Sequence, residues 1–383
     1  MLGHKNILHV VSVFFSIPYF LGEQLDYMNE KKFKVHVISS PSDEILSYSI
    51  EHKFKYKEIP ILRKLSFLAD LRAIVSIIKY IKKNKISVVT GHSPKGALLS
   101  MISGYIAKVP KRIYLRHGLV YETAKGFKRF TMKNVDRITA LLATKVINVS
   151  QSVMQISKDD RLNNSKKNIL LNKGTCNGIN VKKFSQSNIN IETQTNIKRK
   201  LGINDDDFVI GFSGRLVIDK GIIELVEAFN LLKIEYLNVK LLLVGVIEER
   251  DKLPDSIINL IKNDDRIIHT GYIKYSEIEY YYSLMNIYVL PSYREGFPTS
   301  ILEASSMELP IITSRSTGCI DAVIDGSTGF YVNIDSNSIF QKIKILIEDG
   351  TTRQLMGEKG HAFVIENFRQ ELVWAEIEKL YRV

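Results

Sequence analysis

The chain has 383 residues, 45% hydrophobic and 25% charged, with two cysteines and a formal net charge of +12. That length and composition exclude a disordered chain and predict two domains at roughly 100–200 residues each. No apolar run reaches the roughly 18 residues of a membrane span, and Cys176 and Cys319 are too few for a disulfide framework, which suits the cytosol.

The opening stretch, "MLGHKNILHVVSVFF", is apolar but lacks a small-residue cleavage site, so it reads as a first strand rather than a signal peptide. Further β-branched runs follow at "KVHVIS", "ISVVTG", "KRIYLRH" and "KVINVS". Between them lie helical patterns, among them 69–83, where Leu71, Ile74, Val75, Ile78 and Ile81 are expected to share the buried face. The polar stretch 185–200, "SQSNINIETQTNIKRK", reads as a connector, with the domain boundary near 180–187. The plan then repeats: strands at "DFVIGFSG", "VKLLLVG", "NIYVLPS" and "PIITS", with helices over 222–232 and 275–285. Strands alternating with helices predict parallel sheets covered on both faces, hence an α/β chain of two doubly wound domains. Ligands of such sheets bind outside the carboxyl ends of the strands, so two facing domains would line a cleft with strand-end loops.

Charge divides unevenly between the halves. Residues 1–180 hold 30 Lys and Arg against 12 Asp and Glu, a balance of +18; residues 181–383 hold 23 against 29, a balance of −6. The basic half calls for an anionic partner: lipid, nucleic acid or a phosphorylated substrate.

Two loops carry recognisable chemistry. In "GFSGRLVIDKGIIELVEAF" a strand ends at Gly214-Arg215, and Asp219-Lys220-Gly221 opens a helix. Glycine admits close backbone approach, a helix start offers free N–H groups and a positive dipole end, and Arg215 and Lys220 add two cations. Together these fit a diphosphate. In "NIYVLPSYREGFPTSILEA" Pro298 suits a first helical turn, and Thr299 and Ser300 present first-turn N–H groups. Glu295 stands in the loop and Glu303 more than one turn into the helix. Carboxylates accept hydrogen bonds from paired hydroxyls, so a nucleotide sugar satisfies both loops: phosphates on the cations and N–H groups, ribose on one acid, hexose on the other.

With these residues in view, the sequence resembles the family 4 glycosyltransferases of the GT-B fold, of the type that assembles bacterial capsule, O-antigen or N-glycan. The resemblance spans nearly the whole chain. It rests on "GRLVIDKG", "PSYREGFPTSILEA", "STGCIDAVIDGSTGFYV", "HSPKGALLSM", "YLRHGLVYE" and "NGINVKKF". It implies two Rossmann-like domains facing across a cleft: an acceptor-side domain over 1–180, with a final helix of about 369–383 packed back on it, and a nucleotide-sugar domain over 181–368. It also implies a retaining transfer of a hexose or N-acetylhexosamine from a nucleotide sugar, UDP being the family's commonest donor nucleotide. The acceptor implied is a polyprenyl-diphosphate-linked saccharide, and no metal or other cofactor is expected. By the family pattern Arg215 and Lys220 hold the donor diphosphate, Glu303 binds ribose, Glu295 binds the hexose, and His117 sits beside the reacting sugar. Gly214, Gly296, Phe297, Pro298, Thr299 and Ser300 complete the donor contacts, with His117 and Glu295 as the catalytic candidates. Histidine donates a hydrogen bond in either charge state, so His117 is given no base role.

Two departures stand out. Many relatives have a glycine pair after the first strand, but "SVFFSIPYFLG" has none before Gly22, and "MELPII" has Glu308-Leu309 where a glycine is common before the proline. Asp205-x-Asp207 in "NDDDF" imitates the metal motif of the other glycosyltransferase fold, yet it lies in a turn before a strand start, and no His/Cys cluster has metal spacing. After His117, Lys125, Arg129, Lys133 and Arg137 recur every four residues, with Phe127, Phe130, Ile138 and Leu141 on another side. A helix there would be amphipathic and basic, able to meet anionic lipid head groups or the acceptor diphosphate. This favours a cytoplasmic enzyme held peripherally at the inner face of the membrane. Three other readings stand against it: a nucleic-acid binder using the basic half, against which no aromatic stacking run or reader motif appears, so no nucleic acid is expected as a partner; another GT-B enzyme, either a sugar-nucleotide epimerase or a phosphorylase, though no lysine is marked for pyridoxal phosphate; and an inactive scaffold, disfavoured because Arg215, Lys220, Glu295 and Glu303 are all intact.

Overall fold

The computed structural model describes residues 5–62, 66–249 and 251–382, so residues 1–4 of the opening stretch lie outside it. The chain divides into two compact units, Met1–Gly178 with Gln370–Val383, and Ile179–Arg369. Each is built on one parallel sheet.

Unit 1 has seven strands: β1 (Asn6–Val10), β2 (Lys34–Ser39), β3 (Lys55–Glu58), β4 (Val88–Gly91), β5 (Lys111–Arg116), β6 (Lys145–Asn148) and β7 (Asn168–Leu170). They lie in the order β3-β2-β1-β4-β5-β6-β7. The chain winds outward from β1 to β3, returns to β4 beside β1, and winds outward the other way. That reversal opens a crevice at the carboxyl ends of β1 and β4, where doubly wound sheets take ligands. The central strands are mostly buried, as coverage on both faces requires; β4 is buried throughout. At the edge, β3 (KYKE) is polar and alternates between exposed and half-buried positions. The final helix, Gln370–Arg382, belongs to this unit: Trp374 Nε1 donates to Asn177 Oδ1 at 2.8 Å and Tyr27 Oη to Glu378 Oε2 at 2.8 Å.

Unit 2 has six strands: β8 (Phe208–Ser213), β9 (Val239–Val244), β10 (Ile267–His269), β11 (Ile287–Leu290), β12 (Ile311–Ser314) and β13 (Gly329–Val332), in the order β10-β9-β8-β11-β12-β13. Here the winding reverses between β8 and β11. One large apolar core, including Phe212, Phe229, Leu242 and Tyr288, packs on both sides of the sheet.

Two expectations from sequence are corrected. The helix of Phe67–Lys83 does not bury the 71/75 row: Ala73, Ile77 and Ile81 face the core, Ile74 and Ile78 flank it, and Leu71 and Val75 are exposed. An apolar stripe wider than the helix's contact with its neighbour leaves one edge in solvent. The polar stretch 185–200 is not merely a connector. Its second half is a helix, Ile191–Lys200, capped by Asn190, whose side chain accepts from Thr193 N at 2.9 Å. That helix needs only Ile197 against the core, and Gln194 donates to Ser283 Oγ at 2.9 Å, so few apolar residues suffice to dock it.

Candidate active site

The glycine-flanked loop after β8 and the loop after β11 meet at the reversal point of the unit 2 sheet. A short 3-10 turn, Ile218–Lys220, leads to the helix Ile222–Glu235 through Gly221 at φ 70°. A Cβ on Gly221 would stand 2.2 Å from Pro291 O, so only glycine lets this helix start press against the end of β11. The two loops are then tied together. Tyr293 N donates to Asp219 O at 2.9 Å, Ser292 Oγ to the same oxygen at 3.0 Å, and Arg294 Nη2 pairs with Asp219 Oδ2 at 2.8 Å. Within this frame Lys220 Nζ forms an ion pair with Glu295 Oε1, both groups being mostly shielded from solvent.

Arg215, directly after Gly214 at the end of β8, is more than half exposed and pairs with Glu248 Oε2 at 2.8 Å. The structure therefore joins Lys220 to Glu295 but turns Arg215 toward Glu248, an acid that sequence reasoning did not single out. The "STG" segment supports the same loop from beneath. Glu295 N donates to Thr317 O at 3.0 Å, and a Cβ on Gly318, at φ 78°, would stand 2.6 Å from Gly296 O. Phe297 packs its ring on Phe368 at 5.4 Å, and Pro298 caps rather than begins the helix Thr299–Ser306. Thr299 and Ser300 lie half-buried in the first turn.

Glu303 sits deeper on that helix, 7% exposed. Tyr282 Oη donates to its Oε2 at 2.9 Å and Tyr275 Oη to its Oε1 at 3.2 Å. Burial raises the carboxyl's pKa, while the Tyr282 hydroxyl, the Lys183 charge and the Tyr275 hydroxyl oppose that rise. A carboxylate has about four lone-pair sites, so two acceptor positions remain beside the tyrosines. The tyrosines were missed from sequence because nothing local ties 275 and 282 to 303; only folding does.

In unit 1, His117 follows β5 and its ring stacks on Phe20, centroids 3.8 Å apart and planes 16° from parallel. Its Nε2 lies 3.2 Å from His92 Nδ1, and His92 Nε2 lies 3.0 Å from His9 Nδ1. The loop without glycines after β1 thus supplies an aromatic wall: it folds into a 3-10 turn, Phe14–Ser16, and a short helix, Ile17–Phe20. Ser12 stands at its start, its Oγ 2.7 Å from Ser93 Oγ and accepting from Gly96 N at 3.1 Å. The clue to His9 and His92 was a polar ring inside "ILHVV" and another just after "VVTG". The second departure also has a local cause: Glu308 itself adopts the left-handed conformation, φ 60°, that a glycine would otherwise take.

The basic segment forms the helix Gly126–Leu142, but two of its four regularly spaced cations are drawn inward while the apolar row is exposed. Lys133 pairs with Asp160 Oδ1 at 2.5 Å, Arg137 Nη2 donates to Asp160 O at 3.0 Å, and Arg129 Nη1 donates to Glu122 O at 3.1 Å. Arg129 and Lys133 also stand over the Tyr121 ring. Lys125 remains exposed, as do Phe127, Phe130, Ile138 and Leu141. Lys133 and Arg137 turn inward because the carboxylate and carbonyl of Asp160 offer partners there, while Arg129 stays exposed. The Asp205-x-Asp207 pair lies away from the strand ends: Asp205 pairs with Lys198 at 2.5 Å, and Asp207 Oδ2 accepts from Asn204 N at 2.7 Å.

Family models match both units: "Glycosyl transferase 4-like" over residues 7–150 and "Glycosyl transferases group 1" over residues 193–363. The chain is 33% identical over 381 residues, 99% of its length and 97% of the relative's, to the capsular polysaccharide biosynthesis glycosyltransferase CapM of Staphylococcus aureus. It is 24% identical, over 94% of this chain and 91% of the other, to the UDP-Gal:alpha-D-GlcNAc-diphosphoundecaprenol alpha-1,3-galactosyltransferase of Escherichia coli. An N,N'-diacetylbacillosaminyl-diphospho-undecaprenol alpha-1,3-N-acetylgalactosaminyltransferase of Campylobacter jejuni is 26% identical over 88% of each chain. Among solved structures, a glycosyltransferase of Rickettsia africae superposes with a TM-score of 0.82 at 21% identity, covering 99% of this chain and 98% of its own. Anabaena HepE, solved with UDP and glucose, also superposes at 0.82, with 16% identity and coverage of 99% and 100%. Two parallel-sheet Rossmann-like units, loops of this chemistry at a strand-order reversal, and a full-length relative at one-third identity lead to one conclusion: the chain belongs to the group 1, family 4-like glycosyltransferases of GT-B fold.

Proposed function

We propose that this glycosyltransferase moves a hexose or N-acetylhexosamine, with retention, from a UDP-linked donor to a polyprenyl-diphosphate-linked saccharide in surface polysaccharide assembly. The observation that carries the reading is the Lys220–Glu295 pair at the reversal point of the unit 2 sheet. It puts a cation suited to phosphate beside an acid suited to sugar hydroxyls, with two helix starts at hand. In this reading Lys220 and Arg215 hold the diphosphate, with Gly214 allowing close approach. Glu303 takes the ribose diol on its two remaining acceptor sites. Glu295, with Gly296, Phe297, Pro298, Thr299 and Ser300 around it, reads the hexose, and His117 meets the reacting sugar. The capsular and diphosphoundecaprenol-directed functions of the S. aureus, E. coli and C. jejuni relatives support the capsule and lipid-linked assignment, and the Anabaena complexes support UDP.

We further propose peripheral contact with an anionic membrane at the inner face. Among the described residues no helix is long and apolar enough to cross a membrane. Helices Phe67–Lys83, Pro94–Ile106 and Gly126–Leu142 pack side by side in unit 1. The outer two expose Phe67, Leu68, Leu71 and Val75 on one, and Phe127, Phe130, Ile138 and Leu141 on the other. Lys125 and Lys128 flank the aromatic pair, and residues 1–180 carry the +18 balance. Apolar prongs among lysines suit a lipid surface.

A thermal-shift screen against UDP-, GDP- and ADP-linked sugars tests the donor assignment. A ligand at about a hundred times its Kd adds ~2.7 kcal/mol to stability. A UDP-hexose or UDP-N-acetylhexosamine is expected to raise Tm most, and no response to any nucleotide sugar would refute the reading.

A further inference from the structure

His9, His92 and His117 come from three neighbouring strands, β1, β4 and β5, at the carboxyl edge of the unit 1 sheet. They form an unbroken chain of ring nitrogens: His9 Nδ1 to His92 Nε2 at 3.0 Å, and His92 Nδ1 to His117 Nε2 at 3.2 Å. A neutral imidazole has one N–H and one bare nitrogen. If His92 donates from Nδ1, His117 Nε2 must be bare, so His117 carries its proton on Nδ1. His92 Nε2 is then bare too and accepts from His9 Nδ1–H. If His92 instead donates from Nε2, each proton moves to the other nitrogen of its ring. The three rings therefore share one tautomer, all Nδ1–H or all Nε2–H. The one ring nitrogen of His117 outside the chain, Nδ1, is a donor in the first state and an acceptor in the second.

We propose that His92 and His9 are positioning residues for His117, selecting through this chain whether His117 Nδ1 donates or accepts toward the sugar of the bound donor. The proposal rests on the reading above that His117 meets that sugar. Three further observations support it. Burial lowers the pKa of His9 and His117 to about 3 and that of His92 well below its ordinary value, so all three are neutral near neutral pH. Phe20, stacked on His117, holds the ring plane. Ser93, next to His92, is held at φ 60° and ψ 153°, a conformation that non-glycine residues avoid. Such strain persists where the surroundings over-determine it, and it concentrates at functional sites. Ser12 Oγ, 2.7 Å from Ser93 Oγ, helps to hold it.

Long-range proton–nitrogen correlation spectra of nitrogen-15-histidine protein read tautomers directly. The signals of His9, His92 and His117, assigned by single substitutions, are expected to show one shared tautomer near neutral pH. A mixed set, or an imidazolium among them, overturns the proposal. His92→Phe keeps the ring volume and removes both nitrogens. It is expected to shift or average the His117 signal and to lower kcat about tenfold, the effect of one mis-set hydrogen bond. Its Kd for UDP should stay within about twofold, since the change is remote from the nucleotide contacts. His92→Gln, whose amide can serve one neighbour, should recover part of the loss. Turnover is followed as hydrolysis of whichever nucleotide sugar gives the largest thermal shift. His117→Ala separates the two levels. Full turnover in that variant rejects the role of His117 itself, whereas lost turnover there with unchanged kcat and His117 tautomer in His92→Phe rejects the positioning chain alone. Should His92→Phe fail to fold, the wild-type spectrum and the same measurements on His9→Phe decide.

Discussion

Lys220 and Glu295, 75 positions apart, form an ion pair that joins the helix start after β8 to the loop after β11. In the proposed donor complex the ammonium turns to the diphosphate and the carboxylate to the hexose. A hydrogen bond to a charged group contributes roughly 1.5–3 kcal/mol, about ten- to hundredfold in affinity. Lys220→Ala is therefore expected to weaken UDP binding by that factor in calorimetry. Glu295→Gln should leave UDP affinity nearly intact, or raise it by releasing Lys220, while cutting transfer. Equal loss of UDP affinity in both variants would contradict the division of labour.

Glu303 predicts a pH effect of definite sign. Burial raises its pKa in the folded state above the ordinary value of 4.5, so the folded form holds its proton longer than the unfolded chain does. Stability that is present below the unfolded pKa is thus lost as pH rises through the folded pKa. Glu303→Gln removes this titration. The melting temperature of the parent minus that of Glu303→Gln should fall from pH 4 toward neutrality, while UDP affinity drops in the variant. A difference independent of pH would show that the carboxylate carries no desolvation cost.

The contact at Gly221 makes a backbone prediction. Alanine there must adopt a left-handed φ, at a cost of about 1–2 kcal/mol, and push Pro291 away. Gly221→Ala should lower chemical-denaturation stability by at least that amount and weaken UDP binding, because the β8 and β11 loops separate. Unchanged UDP affinity in a folded variant would mean that the two loops act independently.

The membrane reading is tested by sedimentation with vesicles of anionic or only neutral lipid across a salt series. Each basic residue near an anionic surface contributes about 1 kcal/mol, fading within a Debye length of roughly 8 Å at physiological salt. Binding is expected to anionic vesicles and to weaken with salt. Replacing Phe127 and Phe130 by serine, or Phe67 and Leu71 by serine, should release the protein. Reversing Lys133 and Arg137 should instead lower stability, since Lys133 is paired with Asp160 and Arg137 with its carbonyl. Equal binding to both vesicle types, or none to either, would leave these rows as ordinary surface.

Much of this architecture was legible in the sequence by itself. Strand runs such as "VKLLLVG" and "NIYVLPS" announce parallel sheets because burial on both faces demands continuous apolar residues, which is a local property. The loops holding Gly214, Arg215, Lys220 and Gly221, and Glu295 through Ser300, were also readable, since glycine, proline and charge around a strand–helix joint mark it within a few residues. What is not local had to wait for the tertiary structure. The polar edge strand Lys55–Glu58 has no apolar signature, because an edge needs none. The apolar rows at Leu71 and Val75, and at Phe127 and Phe130, look like core from periodicity, yet which row is buried depends on the neighbouring helix. The inward turn of Lys133 and Arg137 depends on Asp160. The joining of Lys220 to Glu295, of Glu303 to Tyr275 and Tyr282, and of His9 through His92 to His117 was decided by the strand order, which brings distant residues to one sheet edge. Periodicity and turn chemistry act over a few residues, whereas which side chains become partners follows from how the crossovers order the strands.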